Sequence, residues 1–177
     1  MGKDIKIILD ADVIIHFIKG ECLSLLPQIL PNYSYVLLKM VFDRELRDLH
    51  RTQIMQQITI LMNITMVDWE PKGEALGEFL KLNKKFGLGE SLSMVYCKYN
   101  NDVLASSNLK DIISYCEENK IVYFTTLDFI YQAFHTKIMT EKECDDFITK
   151  VLAKGSKLPV TCIADFHPRI TLLFFRC

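Results

Sequence analysis

Short apolar runs alternate with amphipathic segments along the chain, a pattern that is typical of strands alternating with helices. The apolar, partly β-branched runs predict five strands, at residues 6–9, 35–41, 64–69, 102–105 and 121–125. Residues 12–19 are compatible either with the start of a helix or with a continuation of the first strand. Parallel strands need crossover connections, so this order predicts an α/β fold with a parallel sheet between two layers of helices.

The clearest helix signal is a stripe of four apolar residues, Leu109, Ile112, Ile113 and Cys116, spaced as on one helix face. Thr140 and Glu143 form a capping-box pattern at the start of a helix over 140–153. Further helices are predicted over 42–49, 53–61, 90–99 and 127–134, and one that ends near Gly87. Residues 160–175 are largely apolar and receive no assignment.

Composition restricts the class of protein. The 177 residues are 50% hydrophobic and 24% charged, with a net charge of -1, which excludes a disordered tail and a histone-like DNA binder. No apolar run approaches the roughly 20 residues that span a bilayer, so no membrane association is expected. The six cysteines lack the spacing of a zinc site and are predicted to be free thiols. We therefore expect a cytoplasmic protein.

Acidic residues follow several of the predicted strands. Asp10 and Asp12 come directly after the first strand, and Glu45 lies in the helix after the second. Glu90 begins a helix behind a Gly-Leu-Gly turn, and Asp111 lies in the helix after the fourth strand. Ligands bind beyond the carboxyl ends of parallel strands, so these acids are candidates for one site.

Carboxylates that converge in a cleft repel one another unless a cation compensates their charge. Oxygen ligands without cysteine or histidine suit Mg²⁺ or Mn²⁺. Metal sites of this kind commonly hydrolyse phosphodiesters, because the metal activates water and neutralises the phosphate. Lys84, Lys85, Lys98 and Lys110 are candidates for an RNA path beside such a site.

Four segments, IILDADVII, VFDREL, FGLGESLSMVYC and VLASSNLKDI, occur in the order of the acidic motifs of PIN-domain nucleases. This family includes VapC-type toxins and several RNA-processing enzymes, and the resemblance covers about residues 5–130. It implies a PIN-like fold, a Mg²⁺- or Mn²⁺-dependent endoribonuclease, and RNA as substrate. It further implies a cognate antitoxin as a candidate partner, and a homodimer is also considered. The remainder, about 131–177, resembles a helical extension of one single domain, 1–177.

The resemblance assigns roles residue by residue. Asp10, Glu45, Glu90 and Asp111 are the catalytic candidates. Asp10, Glu90, Asn108 and Asp111 are the candidate metal ligands, with Asp12 and Ser106 in support. The third motif departs from the family, because Asn108 occupies the position of an aspartate that Asp111 is expected to replace.

Each acid also has a structural explanation. Asp10 can cap a turn, Glu45 can pair with a neighbouring arginine, and Glu90 favours a helix start through the helix dipole. Asn108 with Asp111 resembles a capping box, and Asp128 is interpreted as a helix N-cap.

Two other functions compete with the nuclease. The missing third acid favours a catalytically degenerate PIN-like module that binds RNA or protein. The LDADVI segment also fits the start of haloacid-dehalogenase-like phosphatases, although that mechanism leaves Glu45 and Glu90 without a role.

Overall fold

The computed structural model describes residues 5–169, which form one parallel sheet with helices on both sides. The strands lie in the order β3-β2-β1-β4-β5. Their bounds are β1 Lys6–Leu9, β2 Ser34–Leu38, β3 Ile64–Val67, β4 Val103–Ala105 and β5 Tyr123–Phe124. The predicted three-layer α/β class is confirmed.

The helices are α1 Ala11–Lys19, α2 Leu26–Ile29, α3 Lys39–Glu45, α4 Asp48–Thr59, α5 Glu74–Leu82, α6 Leu88–Asn100, α7 Leu109–Glu118, α8 Thr126–His135 and α9 Glu141–Ala153. Contacts among α1, α4, α8 and α9 define one helical layer, and contacts of α6 with α5 and α7 define the other. Short 3-10 segments occur at Leu23–Leu25 and Ile163–Asp165. Residues 170–175 of the unassigned tail and both ends of the 1–177 domain assignment lie outside the described residues.

The sheet register aligns the strand ends that carry the candidate acids. In the centre of the sheet, Ile8 of β1 pairs with Val36 of β2 on one side and with Leu104 of β4 on the other. All four pairings are parallel, so the carboxyl ends of the strands lie along one edge. Beyond β1, the Asp10 amide donates to the carbonyl of Ala105 at 2.9 Å. The first residues after β1 and β4 are therefore held beside each other.

Three predicted strands extend too far, among them the third strand, which was expected to reach Trp69 but ends at Val67. The second apolar run was expected to remain a strand to Val41, but β2 ends at Leu38 and α3 begins at Lys39. The fifth strand comprises only Tyr123–Phe124 because it pairs at the sheet edge with the last two residues of β4. The ambiguous segment after β1 is helix α1, and the apolar stripe of α7 and the Thr140 capping box are confirmed.

Five cysteines lie in the described part of the chain, and all five are free thiols, as predicted. Cys97, Cys116 and Cys144 are buried in the core. Between residues 5 and 169, no helix is both long and apolar enough to cross a membrane.

Gly20 lies in close contact with the aromatic core of the α1–α9 layer. A Cβ atom placed on Gly20 would lie 2.1 Å from Cδ2 of Phe147, whose ring packs 5.2 Å from that of Phe17 between centroids. We expect Gly20→Ala to lower the free energy of unfolding by about 1–3 kcal/mol, because the ring must move. Urea denaturation measures this loss.

Gly77 provides the matched control for Gly20→Ala. Gly77 lies inside α5, and a Cβ atom there would meet no other described atom within 4 Å. We expect Gly77→Ala to raise the free energy of unfolding by up to about 1 kcal/mol, because alanine favours a helix interior. Equal effects of the two substitutions would contradict the packing argument.

Candidate functional site

Asp10 lies at the centre of the edge formed by the strand ends. It directly follows β1 and is the N-cap of α1, where its carboxylate accepts a hydrogen bond from the Ala11 amide at 3.0 Å. The residue is only 5% exposed. Its capping role and its place at the sheet edge are therefore compatible with each other.

Asp12 connects α1 with the loop that follows β4. Its Oδ1 accepts from the Val13 amide at 2.6 Å, and its Oδ2 accepts from the Ser107 amide at 2.7 Å. The Ser106 hydroxyl lies 3.5 Å from the same Oδ2 atom. Asp12 thus fixes the loop after β4 against the start of α1.

Glu45, the last residue of α3, reaches the beginning of α6. Its Oε1 accepts a hydrogen bond from the Gly89 amide at 2.7 Å. A Cβ atom on Gly89 would lie 2.4 Å from the Glu45 carboxyl carbon, so the glycine allows this approach. The glycine that the sequence associates with a tight turn therefore acts here by leaving room for a carboxylate.

Glu90 lies one residue further along α6 and is 7% exposed. Within residues 5–169, its Oε1 atom is buried without a hydrogen-bond partner. Burial raises the pKa of Glu90 to about 7, with further contributions from the negative charges of Asp111, Asp12 and Glu45. A buried carboxylate oxygen without a donor is costly, and a bound cation would remove that cost.

The pKa of Asp10 is raised by the same two causes, burial and neighbouring negative charges. Burial raises its pKa well above the usual range, and the charges of Asp12, Glu45 and Glu90 raise it further. Burial likewise raises the pKa of Asp12 to about 6, although the hydrogen bond from the Ser107 amide opposes that shift. These mutual effects define one acidic cluster, Asp10, Asp12, Glu45, Glu90 and Asp111.

Asn108 and Asp111 interact differently from a capping box. Asn108 is the N-cap of α7, but its side chain makes no capping hydrogen bond within the described chain, so that interpretation is wrong for the side chain. Its Nδ2 instead donates to Asp111 Oδ2 at 2.7 Å. A hydrogen bond from Asn108 also lowers the pKa of Glu90. The Asn108 side chain therefore acts on two members of the acidic cluster, Asp111 and Glu90.

The oxygen donors of the cluster suit a hard divalent cation, and the unpaired Glu90 oxygen fits that role. However, within residues 5–169 no group of three or more histidine, cysteine or acidic side chains is arranged so that it could hold a metal ion. Oxygens of Asp12, Glu45 and Asp111 instead accept hydrogen bonds from protein N–H groups. Binding a cation would therefore require the acids to move, and coordination through Asp111 Oδ2 would replace its hydrogen bond from the Asn108 amide.

Two residues, Asp128 and Lys98, differ from their sequence interpretation. Asp128 is not the N-cap of α8, because Thr125 is the N-cap and Asp128 completes its capping box. Lys98 forms an ion pair with Glu78, whereas Lys84 and Lys85 are exposed beside the start of α6.

A hydrogen-bonded group beside Asp12, in which two of the three residues are buried, was missed from the sequence. It consists of His16, Ser107 and Thr126, which come from three different segments. The four-residue spacing between Asp12 and His16 was the one available signal, since it places both side chains on one face of a helix.

No protein-family model, curated protein or solved structure matches this chain.

The raised carboxyl pKa values predict a pH-dependent stability. Glu90 retains its proton in the folded state up to about pH 7, so the folded chain binds more protons than the unfolded chain. Stability then decreases as pH rises. Burial lowers the pKa of His16 to about 4, which has the opposite effect below about pH 6.5. We expect the melting temperature in chelator to fall between about pH 6.5 and about pH 8.

Circular dichroism melts at these two pH values measure the effect. Glu90→Gln, which cannot ionise at position 90, is expected to show a smaller decrease than the parent. An identical decrease in both proteins would show that the carboxyl group of Glu90 does not contribute.

Proposed function

We propose that the chain is a Mg²⁺- or Mn²⁺-dependent ribonuclease of PIN type that hydrolyses RNA phosphodiester bonds. The observation that carries this proposal is the acidic cluster at the carboxyl ends of parallel strands, with a Glu90 oxygen that has no hydrogen-bond partner among residues 5–169. A site that retains several mutually repelling buried acids loses stability without a cation, so their presence favours cation binding.

Each acid has a distinct part in this proposal. Asp10 and Glu90 would hold the metal ion, and Asp111 would join them after leaving Asn108. When bound, the metal would lower the pKa of a water molecule and neutralise charge on the phosphate. Glu45 is fixed beside the start of α6 by the Gly89 amide, where its charge acts on both Asp10 and Glu90.

Lys84 and Lys85 support RNA as the substrate. They are exposed in the segment between α5 and α6, just before the Gly89–Glu90 pair. Lysine side chains in such a position can bind phosphates that lead into the cluster. A cognate antitoxin, a homodimer and the cytoplasmic location remain predictions from the sequence.

One observation favours a second candidate function, a non-catalytic PIN-like module that binds RNA. The Asn108 amide donates a 2.7 Å hydrogen bond to the Asp111 carboxylate and carries no charge that could bind a cation. A site closed in this way would bind RNA through its lysines without cutting it. The phosphatase alternative is less favoured, because Glu45 and Glu90 act electrostatically on Asp10.

An RNA cleavage assay separates the two candidates. The full chain is incubated with a fluorescent single-stranded RNA in Mn²⁺, Mg²⁺ or EDTA, and gel shifts measure binding under the same conditions. The nuclease is expected to cut in Mn²⁺ or Mg²⁺ and not in EDTA. RNA binding that persists in EDTA, with no cleavage in either metal, would overturn the nuclease proposal and support the module.

A further inference from the structure

Asp12 and His16 begin a closed ring of contacts next to the acidic cluster. Both residues lie on α1, four positions apart, and His16 is 7% exposed. The His16 Nδ1 atom lies 2.8 Å from the hydroxyl oxygen of Thr126, which is fully buried at the start of α8. The His16 side chain thereby connects α1 with the segment that follows β5.

Ser107 closes the ring. Its hydroxyl oxygen accepts a hydrogen bond from the Thr126 amide at 2.9 Å and lies 2.8 Å from the Thr126 hydroxyl. The Ser107 amide in turn donates to Asp12 Oδ2 at 2.7 Å. The ring therefore joins α1, the loop after β4 and the beginning of α8.

A neutral His16 allows the hydrogen bonds of this ring to run in one direction, from the Ser107 hydroxyl to the Thr126 hydroxyl and from there to His16. Burial lowers the pKa of His16 to about 4, and the charge of Lys19 adds to the shift, so the imidazole is neutral at neutral pH. A neutral ring can accept at Nδ1 from the Thr126 hydroxyl, and Thr126 can accept from the Ser107 hydroxyl. This arrangement gives each hydroxyl group both a donor and an acceptor.

We propose that His16, Thr126 and Ser107 are positioning residues, which hold Asp12 and the loop before α7 so that the acidic cluster, including Asp111 in the first turn of α7, can bind a divalent cation. This inference rests on the proposed function and adds the residues that orient its site.

Two acids of the cluster lie on different helices. Asp10 lies at the beginning of α1, whereas Asp111 lies in the first turn of α7. The bond from Ser107 to Asp12 connects these two elements, and Thr126 and His16 restrain Ser107 from the other side. Groups that orient metal ligands in this way commonly change metal affinity 10- to 100-fold, as an order of magnitude.

Thr126→Val tests the inference because valine has the shape of threonine and lacks the hydroxyl group. The readout is the affinity for Mn²⁺ alone, measured by calorimetry on the full chain without RNA. We expect Thr126→Val to weaken Mn²⁺ binding about 10-fold or more, and Thr126→Ser to restore it to near the parent value. A purely structural role would not give this recovery with the hydroxyl.

Thr136→Val is the matched control. Thr136 is the C-cap of the same helix, and its exposed hydroxyl donates to the Gln132 carbonyl at 2.8 Å. The Thr136→Val variant should bind Mn²⁺ like the parent. If Thr126→Val reduces the folded fraction, Ser107→Ala replaces it as the test, because Ser107 is half-buried. This substitution also removes the hydrogen bond between the Ser107 and Thr126 hydroxyl groups, and it is expected to weaken Mn²⁺ binding equally.

Two results would overturn the inference, and they differ. If the parent binds Mn²⁺ and folded Thr126→Val or Ser107→Ala binds it equally well, the positioning role fails while the proposed function stands. If the parent itself binds no Mn²⁺, the cation site and the positioning role fail together.

Discussion

Asp10→Asn is expected to reduce Mn²⁺-dependent RNA cleavage by about 100-fold or more, because it removes a ligand charge from the centre of the acidic cluster. The amide preserves the shape of the side chain and its acceptor for the Ala11 amide, so the helix cap is retained. Without metal, the melting temperature should rise, because burial and three neighbouring acids disfavour the Asp10 charge. Initial cleavage rates and thermal melts in EDTA measure the two effects.

Asp43→Asn is the matched control for Asp10→Asn. Asp43 lies on α3 two residues before Glu45, is partly exposed and forms an ion pair with Lys39. This variant should cleave RNA like the parent, since its charge lies outside the cluster. Parental activity of Asp10→Asn at saturating Mn²⁺ would show that Asp10 does not bind the metal.

Asn108→Asp is expected to increase the affinity for Mn²⁺ about 10-fold, because it releases Asp111 and adds a negative charge. The same change should lower the melting temperature in EDTA, since a third carboxylate then faces Asp111 and Glu90. Calorimetry with Mn²⁺ and melts in EDTA measure these opposite changes. A variant stabilised in EDTA would contradict the proposed repulsion.

Asn119→Asp controls for the added charge. Asn119 is the C-cap of the same helix, and its side chain donates to the Tyr115 carbonyl at 2.8 Å. It lies at the opposite end of α7 from the acidic cluster. The Mn²⁺ affinity of Asn119→Asp should equal that of the parent. An equal gain in affinity in Asn119→Asp and Asn108→Asp would indicate a non-specific charge effect.

The alternation of apolar runs and amphipathic segments was sufficient to predict the class of fold. It was least accurate at the boundary between β2 and α3, where the fully buried Leu38 and Val41 lie on either side. An apolar run of this length has the same appearance in either conformation, so the sequence pattern alone did not locate the boundary.

The positions of the candidate acids followed from the fold, because residues after parallel strands must share one edge. The hydrogen bonds that these acids and their neighbours form could not be predicted from the sequence. His16 and Thr126 are separated by 110 positions, and Glu45 and Gly89 by 44, so only the packed chain reveals them. Asn108 and Asp111 are only three positions apart, but a capping box and metal coordination were both compatible with that spacing, and in the structure the Asn108 amide donates to Asp111.

The most direct test of the cation site is anomalous diffraction from crystals of the full chain soaked in Mn²⁺. The account predicts a manganese peak at the carboxyl end of β1, about 2.1 Å from carboxylate oxygens of Asp10 and Glu90. Asp111 should turn away from Asn108 toward the metal. The absence of a peak at this edge at saturating Mn²⁺, in crystals whose sheet edge is open to solvent, would contradict the account.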